Sequence, residues 1–139
     1  MTENEKELAV ICNDPEISSL WNPEIGDKVV WNKCIFFVSN VNNEQGYPLI
    51  NITNNRSRWI NKWKRDFIWL PSLSRIIAEI ENFSNRHGWE IERVYKKTEK
   101  LVVEYRTEVS LKNREVIERG ATPELACVKA LKQVLDGGK

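Results

Sequence analysis

"PSLSRIIAEIENFSNRHGWEIERVY", Pro71 to Tyr95, changes its hydrophobic period partway along, and that change decides the fold class. From Ser72 on, Leu73, Ile76, Ile77, Ile80 and Phe83 recur at three- and four-residue spacing. They leave Arg75, Glu79, Glu81 and Asn82 on the other side, the pattern of an amphipathic helix. Pro71 biases Leu70 towards extended backbone, and Ser72 can accept a hydrogen bond from the first turn. Gly88 can take the left-handed conformation that ends the helix after Arg86 and His87. Beyond Gly88 the period becomes two, with Trp89, Ile91 and Tyr95 alternating with Glu90, Glu92 and Lys96 in a half-buried strand.

Downstream, Leu101, Val103, Tyr105 and Val109 alternate with Glu104, Arg106 and Glu108, which predicts a second strand joined to the first by the polar "KKTEK". "REVIERGA" predicts a third strand after a turn at "SLKNR". Thr122 as cap, with Pro123 and Glu124 behind it, opens a second helix carrying Cys127, Val128, Leu131, Val134 and Leu135 on one face. The order α-β-β-β-α implies a two-layer sandwich, its outer sheet face charged but also holding Val94, Val102 and Val116. The core expected is Leu73, Ile76, Ile77, Ile80, Trp89, Ile91, Leu101, Val103, Tyr105, Val128, Leu131 and Leu135.

Upstream, "GDKVVW", "CIFFVSNV" and "YPLINI" read as strands of a small antiparallel sheet, with "NNEQG" as a turn between the last two. "NNRSRWINKWKRDFIWLP", Asn54 to Pro71, holds five cationic and four large aromatic side chains. If Asn54-Asn55 makes a tight hairpin, Arg56 to Ile60 runs back as a strand. Trp59, Trp63 and Trp69 then fall on one side, and Arg58, Lys62 and Lys64 on the other. Read as a helix, the segment gives a stripe of Trp59, Trp63, Phe67 and Leu70 opposite Arg58, Lys62 and Arg65, so strand or helix stays open over 55–66. Both readings bury aromatics and expose cations, so Arg56, Arg58, Lys62, Lys64 and Arg65 are the candidate partner-binding residues. The bland alternative is a solvated face over a tryptophan core. The fold expected is α+β: a small N-terminal antiparallel β region packed with the α-β-β-β-α sandwich. One domain, 1–139, is expected, with a partly flexible N-terminus over 1–20, a β-rich part over 21–70 and the α-β-β-β-α part over 71–139.

Composition bounds what such a protein does. With 139 residues, 41% apolar and 29% charged, the chain has ordinary globular usage. Its 21 basic and 20 acidic residues leave no overall field to draw it onto a polyanion or an anionic membrane, so such binding needs a local patch. Cys12, Cys34 and Cys127 are far apart, with no C-x-x-C pair and a single histidine to complete a metal set. Neither structural zinc nor a disulfide scaffold is expected. An acidic "MTENEKELAVIC" and short apolar runs place the protein in the cytoplasm and off the membrane.

Catalytic signatures are missing. A nucleophilic triad needs a base, and His87, the lone imidazole, adjoins a helix-ending glycine where a cation suits the helix dipole. Glu90, Glu92 and Glu104 could share a sheet face and act as acid and base or bind a divalent ion. Lys96, Lys97 and Arg106 lie among them, which favours a charge-compensated surface. Cys34, within "CIFF", and Cys127 read as inert core thiols. There is no phosphate-cradling glycine motif. No enzyme activity, cofactor, metal site or catalytic residue is expected.

The α-β-β-β-α order from Pro71 to Leu135 resembles the topology of double-stranded-RNA-binding domains. Those domains open their second helix with lysines, where this chain has Thr122, Pro123, Glu124 and Leu125, followed only by Lys129 and Lys132. A longer resemblance covers Leu20 to Leu135. "LWNPEIGDKVVW", "FIWLPSLSRIIAEI" and "TPELACVKAL" are similar to landmarks of short phage and prophage proteins of the phage α/β sandwich type, a family without an assigned activity. It implies a viral or mobile-element origin and a binding role, and transfers no site residue. The function expected is that of a small non-enzymatic accessory protein that binds a host or phage macromolecule. A host or phage protein is the first partner expected. Alternatives are nucleic-acid binding through 56–69, or small-ligand sequestration. Among partners, a homo-oligomer is also considered.

Overall fold

The computed structural model describes the backbone of residues 1–44, 47–53, 59–87, 90–99, 102–111 and 114–137, and the side chains of 1–42, 49–53, 62–83, 105–109 and 115–137. The fold is α+β, and the chain divides into two compact units, Met1–Pro71 and Ser72–Lys139. Among the described residues no helix is long and apolar enough to cross a membrane.

The first unit begins with two helices, α1 (Glu3–Cys12) and α2 (Pro15–Ser18), where the sequence reading assigned no element. Their local causes are plain. Thr2 Oγ1 accepts from Glu5 N while Glu5 Oε1 accepts from Thr2 N, a reciprocal cap that satisfies otherwise orphaned amides. Asp14 caps α2 ahead of Pro15 with a single bond, its Oδ1 accepting from Glu16 N at 2.9 Å. A meander follows: β1 (Lys28–Trp31), β2 (Cys34–Glu44), β3 (Tyr47–Thr53) and β4 (Trp59–Trp63). A 3-10 turn at Lys64–Asp66 then leads into β5 (Ile68–Leu70), a strand not expected from the sequence. β5 returns to pair with β1, giving the antiparallel order β4-β3-β2-β1-β5.

One face of this sheet is the core. Val29, Phe36, Val38, Ile50, Ile52 and Trp69 are buried there together with Phe67 and Trp21. Trp21 stacks on Trp69 with ring centroids 6.3 Å apart and planes 11° from parallel. Its indole N–H donates to Asp27 Oδ2 at 2.8 Å, and the same oxygen accepts Glu24 N at 2.9 Å. Gly26 takes φ +94°, and its N–H reaches the Val38 carbonyl while Val38 N reaches the Asp27 carbonyl, both at 2.8 Å. The W-x-P-x-x-G-D landmark is thus a pinned turn whose glycine meets a real backbone requirement. In β2 the register slips between Val38 and Asn40, a bulge at which Ser39 Oγ donates to the Asn51 carbonyl. Outside this cluster, α1 packs on β5 and buries Leu8, Ala9 and Cys12, and Glu5 pairs with Lys28 of β1 at 2.9 Å.

The second unit has α3 (Leu73–His87), β6 (Glu90–Glu99), β7 (Val102–Leu111), β8 (Arg114–Gly120) and α4 (Pro123–Gly137), in the predicted order. The sheet is antiparallel, β6-β7-β8; α3 and α4 pack on each other, and α4 packs on β7 and β8. Ile76, Ile80, Val109, Val116, Val128, Leu131 and Leu135 are buried, whereas Leu73, Ile77 and Tyr105 are only half-buried. The side chains of Trp89, Ile91, Leu101 and Val103, expected in the same core, lie outside the described ones. Val116 leaves the charged face assigned to it, because it stands opposite Val109 in the buried row. The alternation expected over 89–95 is also broken: a bulge between Ile91 and Arg93 sets Val94 opposite Thr107 and Tyr95 opposite Arg106. "KKTEK" is mostly strand, since β6 continues to Glu99.

Small residues set how closely α4 approaches β8. A Cβ added at Gly120 would lie 2.7 Å from both Ala126 N and Leu125 Cβ, and Ala126 and Ala130 have no exposed surface. Thr122 Oγ1 accepts from Leu125 N at 3.2 Å, so the T-P-E-x-A-x-x-x-A-L landmark combines a cap with a close contact.

Ile76 has no exposed surface, so Ile76→Ala should lower the unfolding free energy by about 2–5 kcal/mol, with a smaller loss for half-buried Ile77→Ala. Urea unfolding of the two variants measures this. The Thr2 backbone amide and the Lys28 ammonium hold the Glu5 carboxyl down, from its ordinary 4.5 to about 2. A depressed folded value means the stabilisation is complete above the ordinary value and is lost as pH falls towards about 2. Unfolding free energy followed through that window should lose part of its pH dependence in Glu5→Gln; an unchanged profile would contradict the clamp.

Candidate binding surface

Of the five cations singled out by the sequence, Arg56 and Arg58 lie outside the described residues. Lys62 is on β4, and Lys64 and Arg65 are in the 3-10 turn. The segment left open between strand and helix is a strand over Trp59–Trp63, followed by that single turn. The helical stripe does not form. Nor does Trp69 continue the alternation of Trp63, because the turn resets the phase: Trp69 is 3% exposed and stacked in the core, while Trp63 is 37% exposed.

Register gives the reason. Residues directly opposite in an antiparallel pair share a face. Ile50 and Ile52 of β3, both fully buried, stand opposite Lys62 and Ile60. Lys62 therefore occupies a position in the core-facing row, yet is exposed because β4 is the sheet edge. Trp63 stands opposite Leu49 in the outward row. The expectation that cations face out and tryptophans face in is thus inverted for this pair. A charge in the inward row of an edge strand also hinders pairing with a further strand, a structural role for Lys62.

The Trp63 backbone N–H donates to Asp66 Oδ2 at 3.1 Å, which closes the turn. Lys64 Nζ lies 6.0 Å from the centroid of the Trp21 ring, a cation–π contact that ties the turn to the core stack. Lys62 and Arg65 are exposed and make no ion pair among the described residues. The outward face continues from Leu49 and Trp63 through Asn51 and Asn40 to Thr53 and Phe37, and Phe37 is 43% exposed. Phe37 was concealed in sequence by the unbroken run "CIFFV"; alternation puts Phe36 and Val38 inside and Phe37 outside. The surface thus offers two exposed aromatic rings, asparagine amides between them, and cations along one edge.

Other chemistry is sparse. A groove of about 450 Å³ is lined by Ala9, Val30, Trp31 and Ile68, with Lys33 and Asp66 among its polar groups. Cys12 and Cys127 are buried, and burial pushes the Cys12 thiol up to about 12. Burial raises Cys127, opposed by its hydrogen bond with Thr107 at 3.2 Å and aided by the charge of Glu124. Neither is poised as a thiolate. Cys34, expected in the core, is exposed because it directly follows the two-residue hairpin turn at Asn32 and Lys33, whose φ values are 50° and 63°. The side chains of Glu90, Glu92, Glu104 and His87 lie outside the described ones. Among the described residues no cluster of His, Cys, Asp or Glu could hold a metal ion. Comparison with known protein families, curated proteins and solved structures finds no significant match.

Proposed function

We propose that the chain is a non-enzymatic accessory module of phage or prophage type that acts by binding a macromolecule, and that its partner is single-stranded nucleic acid held on the outward face of β2–β4. The observation that carries this reading is the exposure of Trp63 on the outward face, with Arg65 in the adjoining turn and Lys62 at the sheet edge also exposed and neither cation in an ion pair among the described residues. An aromatic ring open to solvent on a sheet face offers a stacking platform for any base, worth about 1–3 kcal/mol per base. Neighbouring cations follow the phosphates, and asparagine amides can donate to or accept from base edges. Phe37 on the same face supplies a second ring. An acidic protein surface would use the same cations but has less need of the rings.

Fluorescence anisotropy with a labelled single-stranded deoxyoligonucleotide, run across salt concentrations, tests the reading. Binding should weaken linearly on a log–log salt plot. Changing Lys62 and Arg65 together to Glu should lower affinity and reduce the slope by about 0.7 per lost phosphate contact. No binding at low salt, or equal competition by polyglutamate, would exclude the nucleic-acid reading; the second outcome favours an acidic protein partner.

A further inference from the structure

We propose that β8 pairs with β8 of a second copy of this chain across a two-fold axis at Ile117, extending the β6-β7-β8 sheet into one that runs through both copies. β8 is an edge strand, and the alternate residues Glu115, Ile117 and Arg119 are all exposed, Ile117 at 42%. Within one copy this row is poorly matched. Arg119 stands opposite Arg106, like charge against like; Ile117 stands opposite Glu108; and Glu115 stands opposite Ser110. Glu108 is already engaged by Arg106 at 2.7 Å, while neither Glu115 nor Arg119 has an ion pair among the described residues. Like charges directly across a ladder are destabilising, and an apolar residue beside an ion pair gains little.

A second antiparallel β8 resolves these mismatches together. With Ile117 opposite Ile117 of the second copy, Glu115 falls opposite Arg119 and Arg119 opposite Glu115. The two symmetric ion pairs and the central apolar pair all lie on the face where the three side chains are exposed. An isologous contact requires this self-complementarity: what one residue needs, its counterpart must supply from the same patch. The alternate row sets Val116 against Glu118 and adds nothing, so the outer row carries the pairing. Lys129 Nζ donates to the Arg119 carbonyl at 3.2 Å, and that oxygen retains a second lone pair for an incoming strand. A short strand-to-strand contact buries little area, so the dimer expected is weak and concentration-dependent.

Sedimentation equilibrium over a concentration series tests the proposal. Wild type should move from monomer towards dimer. Glu115→Arg or Arg119→Glu alone should weaken association by about tenfold or more, since each reversal acts twice by symmetry and opposes like charges. The combined Glu115→Arg, Arg119→Glu chain should recover it. In a Cys34→Ser background, Ile117→Cys should form a disulfide between copies on mild oxidation, because opposed Cα atoms at about 4.5–5.5 Å fall within disulfide reach. A wild-type chain that stays monomeric at every concentration, single reversals that leave association unchanged, or failure of Ile117→Cys to cross-link would each overturn it.

Discussion

A sheet whose last strand returns to pair with its first needs something to hold that return, and here it is the stack of Trp21 on Trp69. Trp21 precedes β1, and Trp69 is the middle residue of β5, opposite Val29. Their contact therefore joins the two ends of the meander, where loop closure costs most entropy. The stack is oriented as well as buried. Asp27 takes the Trp21 indole N–H, and the Gly26 and Val38 backbone bonds fix Asp27 to β2. Without the carboxylate, a buried N–H would have no partner, a cost of about 1–3 kcal/mol. Lys64 over the Trp21 ring extends the arrangement to the 3-10 turn, so the geometry of the candidate binding surface rests on this contact too.

The residues of the three landmark stretches act structurally. Trp21, Gly26 and Asp27 make the pinned turn; Trp69 and Leu70 fill the core beside buried Pro71; Thr122, Ala126 and Ala130 cap α4 and bring it close to β8. Motifs of this kind identify how a chain folds and leave the surface free to vary. A ligand must therefore be sought among residues outside them, and Phe37, Lys62, Trp63 and Arg65 are such residues.

Much of the second unit was legible because each of its elements is long enough for its period to repeat, as with Ile76 and Ile80 in α3 or Val109 in β7. Misreadings came where one residue changes the phase. The bulge after Ile91 reverses the alternation of β6, and Val116 follows the partner it pairs with rather than its charged neighbours. The first unit was harder to read. β5 is a three-residue strand, too short to show a period, and α1 is announced by Thr2 and Glu5 rather than by an apolar stripe. The cationic surface was visible as composition, but its orientation depended on the β3–β4 register and the 3-10 turn, neither of which local sequence specifies.

The central claim is a division of labour inside "WKRDFIW", Trp63 to Trp69: Trp69 holds the core and Trp63 meets the ligand. Trp69→Ala and Trp63→Ala, compared in urea unfolding and in single-strand binding, test it directly. The account predicts a crossover. Trp69→Ala should lose about 3–5 kcal/mol of stability and bind normally while folded, and Trp63→Ala should stay within about 1 kcal/mol of wild type and lose most of its binding. Equal effects of the two substitutions in both measurements would contradict it.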